Sequence, residues 1–436
     1  MERKVILLRV TLQALAPLMI ASGEEDALHD VLLVRDPNDL PTIPATSIAG
    51  ALRARIGDRH NDWFGSETPE RRQRSAVTFT DGLFHWSDNL PRDGMVLGEA
   101  RAALARDPLC REVLGSADPV MRQHVRLSAH GVVDGSGKFT RSAVPAGARF
   151  TFEVRTSLAE AADEIERLVK AGIWLGGATR SGYGQMACVA LGREDLTLPR
   201  DMARWTAIVT KDIGTESAIR TRPVEGSKVS STWTIGGRIE GTLLIGAESG
   251  TLEEDRVPWR EPRIQWTGDR GSFQRNCLVV PGTSIKGPIR HRTLFHLRRL
   301  KVAHAEEVND DLFGSVASEA GGAAGKLRFH DAPVDDVREI VQTHVGLDRF
   351  TGGARRGVLF TDRMLWQPQL AVRIDEITPG SLSLDQRLAL AATMEDLRRG
   401  LLGIGAEWGE GAGIFGTIET FVIPDIGDKA EAGNAA

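Results

Sequence analysis

Apolar and polar positions along this chain fall into blocks whose order is used twice. After Met1-Glu2-Arg3-Lys4 comes Val5-Ile6-Leu7-Leu8-Arg9-Val10-Thr11-Leu12, an apolar run broken by single polar residues, which predicts a first strand over about Lys4 to Ala14. A polar loop from Ala21 to Asp30 and a short apolar run from Val31 to Asp36 precede a helix-like segment that opens at Leu40-Pro41-Thr42-Ile43-Pro44 and ends in Arg53 and Arg55. A turn at Asp62-Trp63-Phe64-Gly65-Ser66 and a strand at Ala76 to Asp81 follow. The less patterned stretch from Ser87 to Gln123 reads as an insertion. His124-Val125-Arg126-Leu127, a turn at Gly135-Ser136-Gly137, and a strand from Ala148 to Arg155 come next. Apolar spacing from Leu158 to Leu175 predicts a helix, and the glycine-rich Gly176 to Gln185 feeds a last strand.

The second half repeats this order, and a long-period repeat outweighs any single motif. The strand at Thr234 to Leu244 answers the first strand, Asp311-Leu312-Phe313-Gly314-Ser315 answers Asp62 to Ser66, and Lys326 to Asp331 answers Val77 to Asp81. His344 to Ala354 answers His124 to Gly137; a strand near Leu370 to Ile374, a helix from Leu384 to Leu402 and a glycine-rich loop from Gly403 to Gly416 complete the set. The plan is βαββαβ, so the fold class expected is α+β, two tandem ferredoxin-like (RRM-like) domains, each with an inserted hairpin. The domains are placed at 1–200 and 205–424, with a linker near Gly192 to Arg204 and a disordered tail at 425–436. Such a sheet carries helices on one face and leaves the other free for a ligand or neighbour.

The corner after the first strand is the most specific part of the repeat. Pro44-Ala45-Thr46-Ser47-Ile48-Ala49-Gly50 is matched by Pro281-Gly282-Thr283-Ser284-Ile285-Lys286-Gly287, and both run into arginines. Thr46 or Ser47 is placed to cap its helix, with Thr283 and Ser284 in the copy. The unpaired amides of a helix start form a seat for a phosphate, strengthened by Arg53 and Arg55 in one half and by Lys286, Arg290 and Arg292 in the other. An ordinary capped helix after a proline turn has the same residues; it is the duplication that favours a ligand site.

Composition narrows the class. At 436 residues the chain exceeds one core, and 41% hydrophobic content supplies two. The three cysteines, Cys110, Cys188 and Cys277, are widely spaced and form no Cys-x-x-Cys pair, which suggests neither a disulfide framework nor a zinc finger. The opening run is too short and too charged for a signal peptide or membrane span, so the expected location is cytoplasmic with no membrane partner. The formal net charge of −5 argues against indiscriminate coating of nucleic acid. Local charge differs: Lys286 to Lys301 contains no acid, and Arg71, Arg72 and Arg74 form a second cluster, as in a basic groove on an acidic body. His-Glu-x-x-His, Walker-type and Gly-x-Ser-x-Gly motifs are absent. Tyr183 and the tryptophans read as core or glycine-loop anchors rather than a stacking ladder, with Trp408, inside its glycine loop, the one placed to meet a ligand.

The paired Pro-x-Thr-Ser-Ile-x-Gly helices, the Phe-Gly-Ser turns, the segment His344-Val345-Gly346-Leu347-Asp348-Arg349-Phe350-Thr351-Gly352-Gly353-Ala354 and the glycine-rich loops resemble the RAMP superfamily of CRISPR proteins. Within it they look most like the repeating backbone subunits of type III effector complexes, here fused as a double subunit. The resemblance implies CRISPR guide RNA, target RNA and other effector subunits as partners. It also implies a thumb that interrupts the guide–target duplex, from Leu90 to Lys138 in the first half and within Ala303 to Arg356 in the second. The RNA-binding set is then Thr46, Ser47, Arg53, Arg55, Arg180, Thr283, Ser284, Lys286, Arg290, Arg292, Arg349 and Trp408.

In such subunits target RNA is cut beside an aspartate that precedes an apolar run and Arg-Asp-Pro. Asp30-Val31-Leu32-Leu33-Val34-Arg35-Asp36-Pro37 matches, so Asp30 takes that place, as metal ligand for Mg2+ or Mn2+ or as a group orienting the attacking 2′-hydroxyl, with Asp26 and His29 as neighbours able to assist. The second half departs from the pattern. Its longer loop, Ala247 to Asn276, offers Glu254, Asp255 and Asp269, none of them aligned, so that half is expected to grip RNA without cutting, with Asp255 and Asp269 the catalytic candidates if it does cut. The alternatives are a non-catalytic guide scaffold and a subunit that processes precursor guide RNA or caps its end.

Overall fold

In the computed structural model the described residues are 2–21, 23, 32–57, 62–68, 71–115, 119–127, 133–209, 219, 221–224, 231–246, 253–315 and 322–424. They form two compact units: Met1–Thr179, Tyr183–Lys228 and Pro262–Arg275 in the first, and Arg180–Gly182, Val229–Glu261 and Asn276–Ala436 in the second.

In the first unit β1 (Arg3–Ala14) lies between β4 (Arg149–Thr156) and β5 (Gln185–Leu198), antiparallel to both; Val10 faces Phe152 on one side and Leu191 on the other. The short strand Val77–Phe79 continues beyond β4. The second unit repeats that order: β6 (Thr232–Glu240) lies between β9 (Gln369–Glu376) and β10 (Ile414–Val422), with Leu327–Phe329 beyond β9. Last strand, first strand, third strand and second strand is the antiparallel order of the ferredoxin-like βαββαβ plan, present twice.

One face of the first sheet is covered by α1 (Ala45–Ile56) and α2 (Ala159–Lys170). Ile48, Leu52 and Ile56 recur at four-residue spacing, as do Ala161, Ile165 and Val169, and all are buried in one core with Ile6, Leu8, Val10 and Leu12 of β1. The outer face of α2 is held by Glu164–Arg167 and Glu166–Lys170, both at 2.6 Å. Leu52 is fully buried, and truncation to alanine costs roughly 2–5 kcal/mol. The second unit seats α3 (Gly282–Arg299) and α5 (Leu384–Arg398) in the same way through Ile285, Ile289, Leu390, Met394 and Leu397. The helix α4 (Ala305–Phe313) adds Leu312 and Phe313, and a Ser383–Gln386 capping box starts α5.

The expected free face of the first sheet is covered instead. The stretch expected to be linker continues as β5 to Leu198 and then forms the helix Met202–Val209, whose Ile208 packs on Val5, Leu7 and Leu196. The odd-numbered residues of β1 are therefore buried too, which is why the first strand reads as a continuous apolar run. Beside them lies a polar layer: Arg9 pairs with Glu153 at 2.5 Å, and the Thr11 and Thr151 hydroxyls are 2.7 Å apart. His85 joins Thr151 and Asn89 there, and burial pushes its pKa down to about 4. Residues 262–275 complete this side of the unit. Trp266 Nε1 donates to the Gly147 carbonyl at 2.7 Å, and the Arg149 guanidinium lies over the indole at 4.2 Å. Gly147 has φ +89, and a Cβ on it would stand 1.8 Å from the Ile264 carbonyl oxygen, so only glycine fits. The expected division at 200–205 thus falls inside the first unit. The tail, 425–436, lies outside the described residues.

Candidate nucleic-acid interface

The two corner helices start alike, and not as the sequence predicts. Pro44, not Thr46 or Ser47, is the N-cap of α1, and Pro281 that of α3; neither has a side-chain cap. The first amide of each helix is taken by an aspartate from the turn after the second strand: Ala45 N–H donates to Asp81 and Gly282 N–H to Asp331, both at 2.7 Å. Ser47 and Ser284 amides donate to the carbonyls of Pro44 and Pro281, both at 2.9 Å. A carboxylate at the positive end of a helix does what a phosphate would. The first amide of each predicted seat is therefore already taken. At α3 the start is closed further, because Gly182 packs on Gly282 so tightly that a Cβ on Gly182 would meet Asp331 at 2.2 Å. At α1, Thr46 remains exposed.

Each unit also carries a long hairpin, β2 (Val120–Leu127) with β3 (Val133–Ala143) and β7 (Arg338–Leu347) with β8 (Ala354–Trp366). They repeat residue by residue: His124 faces Phe139 and His344 faces Phe360, and both ladders slip one step later, between Val125 and Leu127 and between Val345 and Leu347. Both hairpins start later than the expected thumbs and return further; the helices Gly98–Arg106 and Pro108–Leu114 precede the first. In the second hairpin, one face is apolar and exposed through Val341, Val345, Leu347 and Leu359. Phe350 at the tip is 93% exposed. Arg349, Arg355 and Arg356 beside it are exposed and make no ion pair among the described residues. Asp348, the acid at this tip, is held in the turn by the amides of Phe350 and Thr351, which lower its pKa.

A sequence model of the RAMP superfamily matches residues 11–187 and again 242–416. The chain belongs to the RAMP superfamily. One RAMP segment falls on each copy of the sheet plan, the second beginning just after β6. No curated protein matches it. Among solved structures, a chain from the type III-B Cmr-beta complex in the apo state is 15% identical with a TM-score of 0.30, covering 42% of this chain and 96% of that one. A chain from the type III-B Cmr-beta complex bound to cognate target RNA is 15% identical with a TM-score of 0.32, over the same shares. No helix among the described residues is long and apolar enough to cross a membrane.

Within this RAMP chain several predicted RNA-binding arginines have protein partners. Arg55 donates to the Gly172 carbonyl at 2.5 Å, and Arg180 to that of Gly325 at 2.6 Å. Arg290 binds Asp310 and the Gly314 carbonyl, Arg292 binds Asp396, and Arg298 binds Glu306. The acid-free run in sequence is therefore half neutralised by acids of α4 and α5. Arg53 is exposed, and Lys286, Thr283 and Ser284 are half-buried. Trp408 is 53% exposed, in a short helical turn of the glycine loop. Tyr183 is buried under Arg122, 4.9 Å from its ring centre, as an anchor. The side chains of Arg71 and Arg72 lie outside the described residues.

The catalytic candidates separate in the same way. Asp26, His29 and Asp30 lie outside the described residues. The chain just beyond them is fixed: Leu33 bridges Ala21, Arg35 bridges Pro41, and Asp36 accepts from the amides of Asn38 and Leu40. Asp255 accepts the Thr361 amide at 2.7 Å, tying its loop to β8, and Asp269 accepts from Asn89 at 3.0 Å. Both carboxylates are engaged structurally. Sequence reasoning missed a third group. His344, Asp362 and Glu407 bring one nitrogen and two carboxylates within 4.8 Å of one another, with Arg256 bound to both acids. The residues are far apart in sequence, and only the pairing of β7 with β8 and the return of the glycine loop gather them.

Proposed function

We propose that this chain is a fused double backbone subunit of a type III CRISPR effector complex, which binds guide RNA, holds the guide–target duplex and cleaves target RNA beside Asp30. The observation that carries the reading is the tip of the second hairpin. Three unpaired arginines and a fully presented phenylalanine are what a protein needs to neutralise phosphates and stack on a base without reading sequence. That reading is supported by the duplicated RAMP plan and by the segment from His344 to Ala354, which resembles the backbone subunits. Asp30, with Asp26 and His29, offers carboxylates and an imidazole suited to a hard divalent ion, Mg2+ or Mn2+, that would stabilise charge on the scissile phosphate. In the second unit the pre-helix acids are bound to β8, which favours gripping over cutting. The location expected is the cytoplasm, where the guide is made.

The test is to co-purify the full chain with its genomic neighbours and sequence the RNA that travels with it. Guides sharing a repeat-derived 5′ tag are expected. Recovery of no RNA, or cleavage of repeat RNA by the isolated chain without metal or partners, would replace this reading with guide processing.

A further inference from the structure

We propose that the second unit binds a divalent transition-metal ion, of which Zn2+ is the type, through His344 Nε2, Asp362 and Glu407. His344 Nε2 is buried and has no hydrogen-bond partner. It lies 3.7 Å from an Asp362 oxygen and 4.0 Å from the second oxygen of Glu407. These separations exceed hydrogen-bond lengths, so neither carboxylate satisfies this ring nitrogen. Arg256 supplies one positive charge against the two carboxylates, and a divalent ion would also satisfy the ring nitrogen. Donors around an ion at about 2.0–2.2 Å stand roughly 3–3.6 Å apart, so these ligand atoms, which lie within 4.8 Å of one another, draw in by up to about 1.5 Å to close the shell.

The surroundings are those of ligands held in place. Arg256 Nε donates to the far oxygen of Asp362 at 2.8 Å, and its terminal nitrogen binds Asp362 and the first oxygen of Glu407. It thereby orients both carboxylates and leaves the second Glu407 oxygen facing His344, the part that outer partners of metal ligands play. The His344 ring is stacked on Phe360, with centroids 5.0 Å apart and planes 13° from parallel. The Asp362 side chain is 0% exposed and that of His344 is 23% exposed, which leaves an entry path on the histidine side. One imidazole and two carboxylates favour Zn2+ over Mg2+ or Ca2+, which take oxygen ligands. The ion would pin the middle of the β7–β8 hairpin to the glycine loop. This site is independent of the RNA reading and of any metal at Asp30.

The full chain carrying Asp30→Ala, stripped with chelator and dialysed, is titrated with Zn2+ by calorimetry. One saturable site per chain is expected. Adding His344→Ala or Glu407→Gln should weaken it at least tenfold, while Glu306→Ala should leave it unchanged. Thermal melts without metal check that each variant folds. If the histidine variant does not fold, zinc-edge X-ray absorption of the otherwise unmutated Asp30→Ala chain decides, with a mixed nitrogen and oxygen shell expected. Absence of a saturable site, equal affinity in the His344→Ala or Glu407→Gln variant, or an all-oxygen shell would each overturn the proposal.

Discussion

The loops that lead into the two corner helices have the same place in the sheet plan and differ in their described contacts. In the first unit, the described chain after Asp30 is stitched to itself through Asp36 and its Asx-type turn. In the second, Glu254, Asp255 and Arg256 each bind β8, at Arg363, the Thr361 amide and Asp362 respectively. Arg260 binds Glu339 of β7 as well. Under the proposed function, one copy of the duplicated loop supplies chemistry while the other braces a hairpin. A carboxylate that accepts a backbone amide has lost a lone pair and its mobility, both of which a reacting group needs.

The sharpest way to break this comparison is to alter one acid in each loop. Asp30→Ala in the assembled complex is expected to slow target cleavage at least about a hundredfold, ~2.7 kcal/mol of barrier, with assembly unchanged. Asp255→Asn should leave the cleavage rate unaltered and cost about 1 kcal/mol of stability in urea unfolding through its weakened bond to Thr361. The opposite pattern of rates would reverse the assignment of the two loops.

A smaller effect is expected at the braced hairpin. Replacing Arg349, Arg355 and Arg356 together by alanine should weaken RNA binding about tenfold near physiological salt, and reduce the slope of log affinity against log salt by roughly 2. An unchanged slope would mean that the tip does not meet phosphate. The smallest difference concerns the helix starts. Asp81→Ala and Asp331→Ala should each cost about 1 kcal/mol in urea unfolding, with the larger loss at Asp331, whose partner Gly282 is buried. Equal losses would show that burial of the second corner does not matter.

Much of the architecture was legible because it rests on local pattern. Apolar runs, four-residue spacing in α1 and α2, and the paired His-Val steps of the hairpins are properties of neighbouring residues, and the duplication exposed them twice. The reading of the corners went wrong where a distant group competes with a local one. A threonine beside a proline turn is a plausible cap, but Asp81 and Asp331 arrive from strands far along the chain and take the first amide instead. The acid-free run of α3 is partly neutralised for the same reason, since Asp310 and Asp396 come from other helices to Arg290 and Arg292.

By itself, then, the sequence determined the order of elements, their duplication and the superfamily, because short-range periodicity and repeated motifs specify these. Tertiary structure alone decided which charges stay unpaired, which sheet face is covered, and that His344, Asp362 and Glu407 meet. Electrostatic partnership depends on distance in space, and pairing of strands brings together residues that chain order keeps apart.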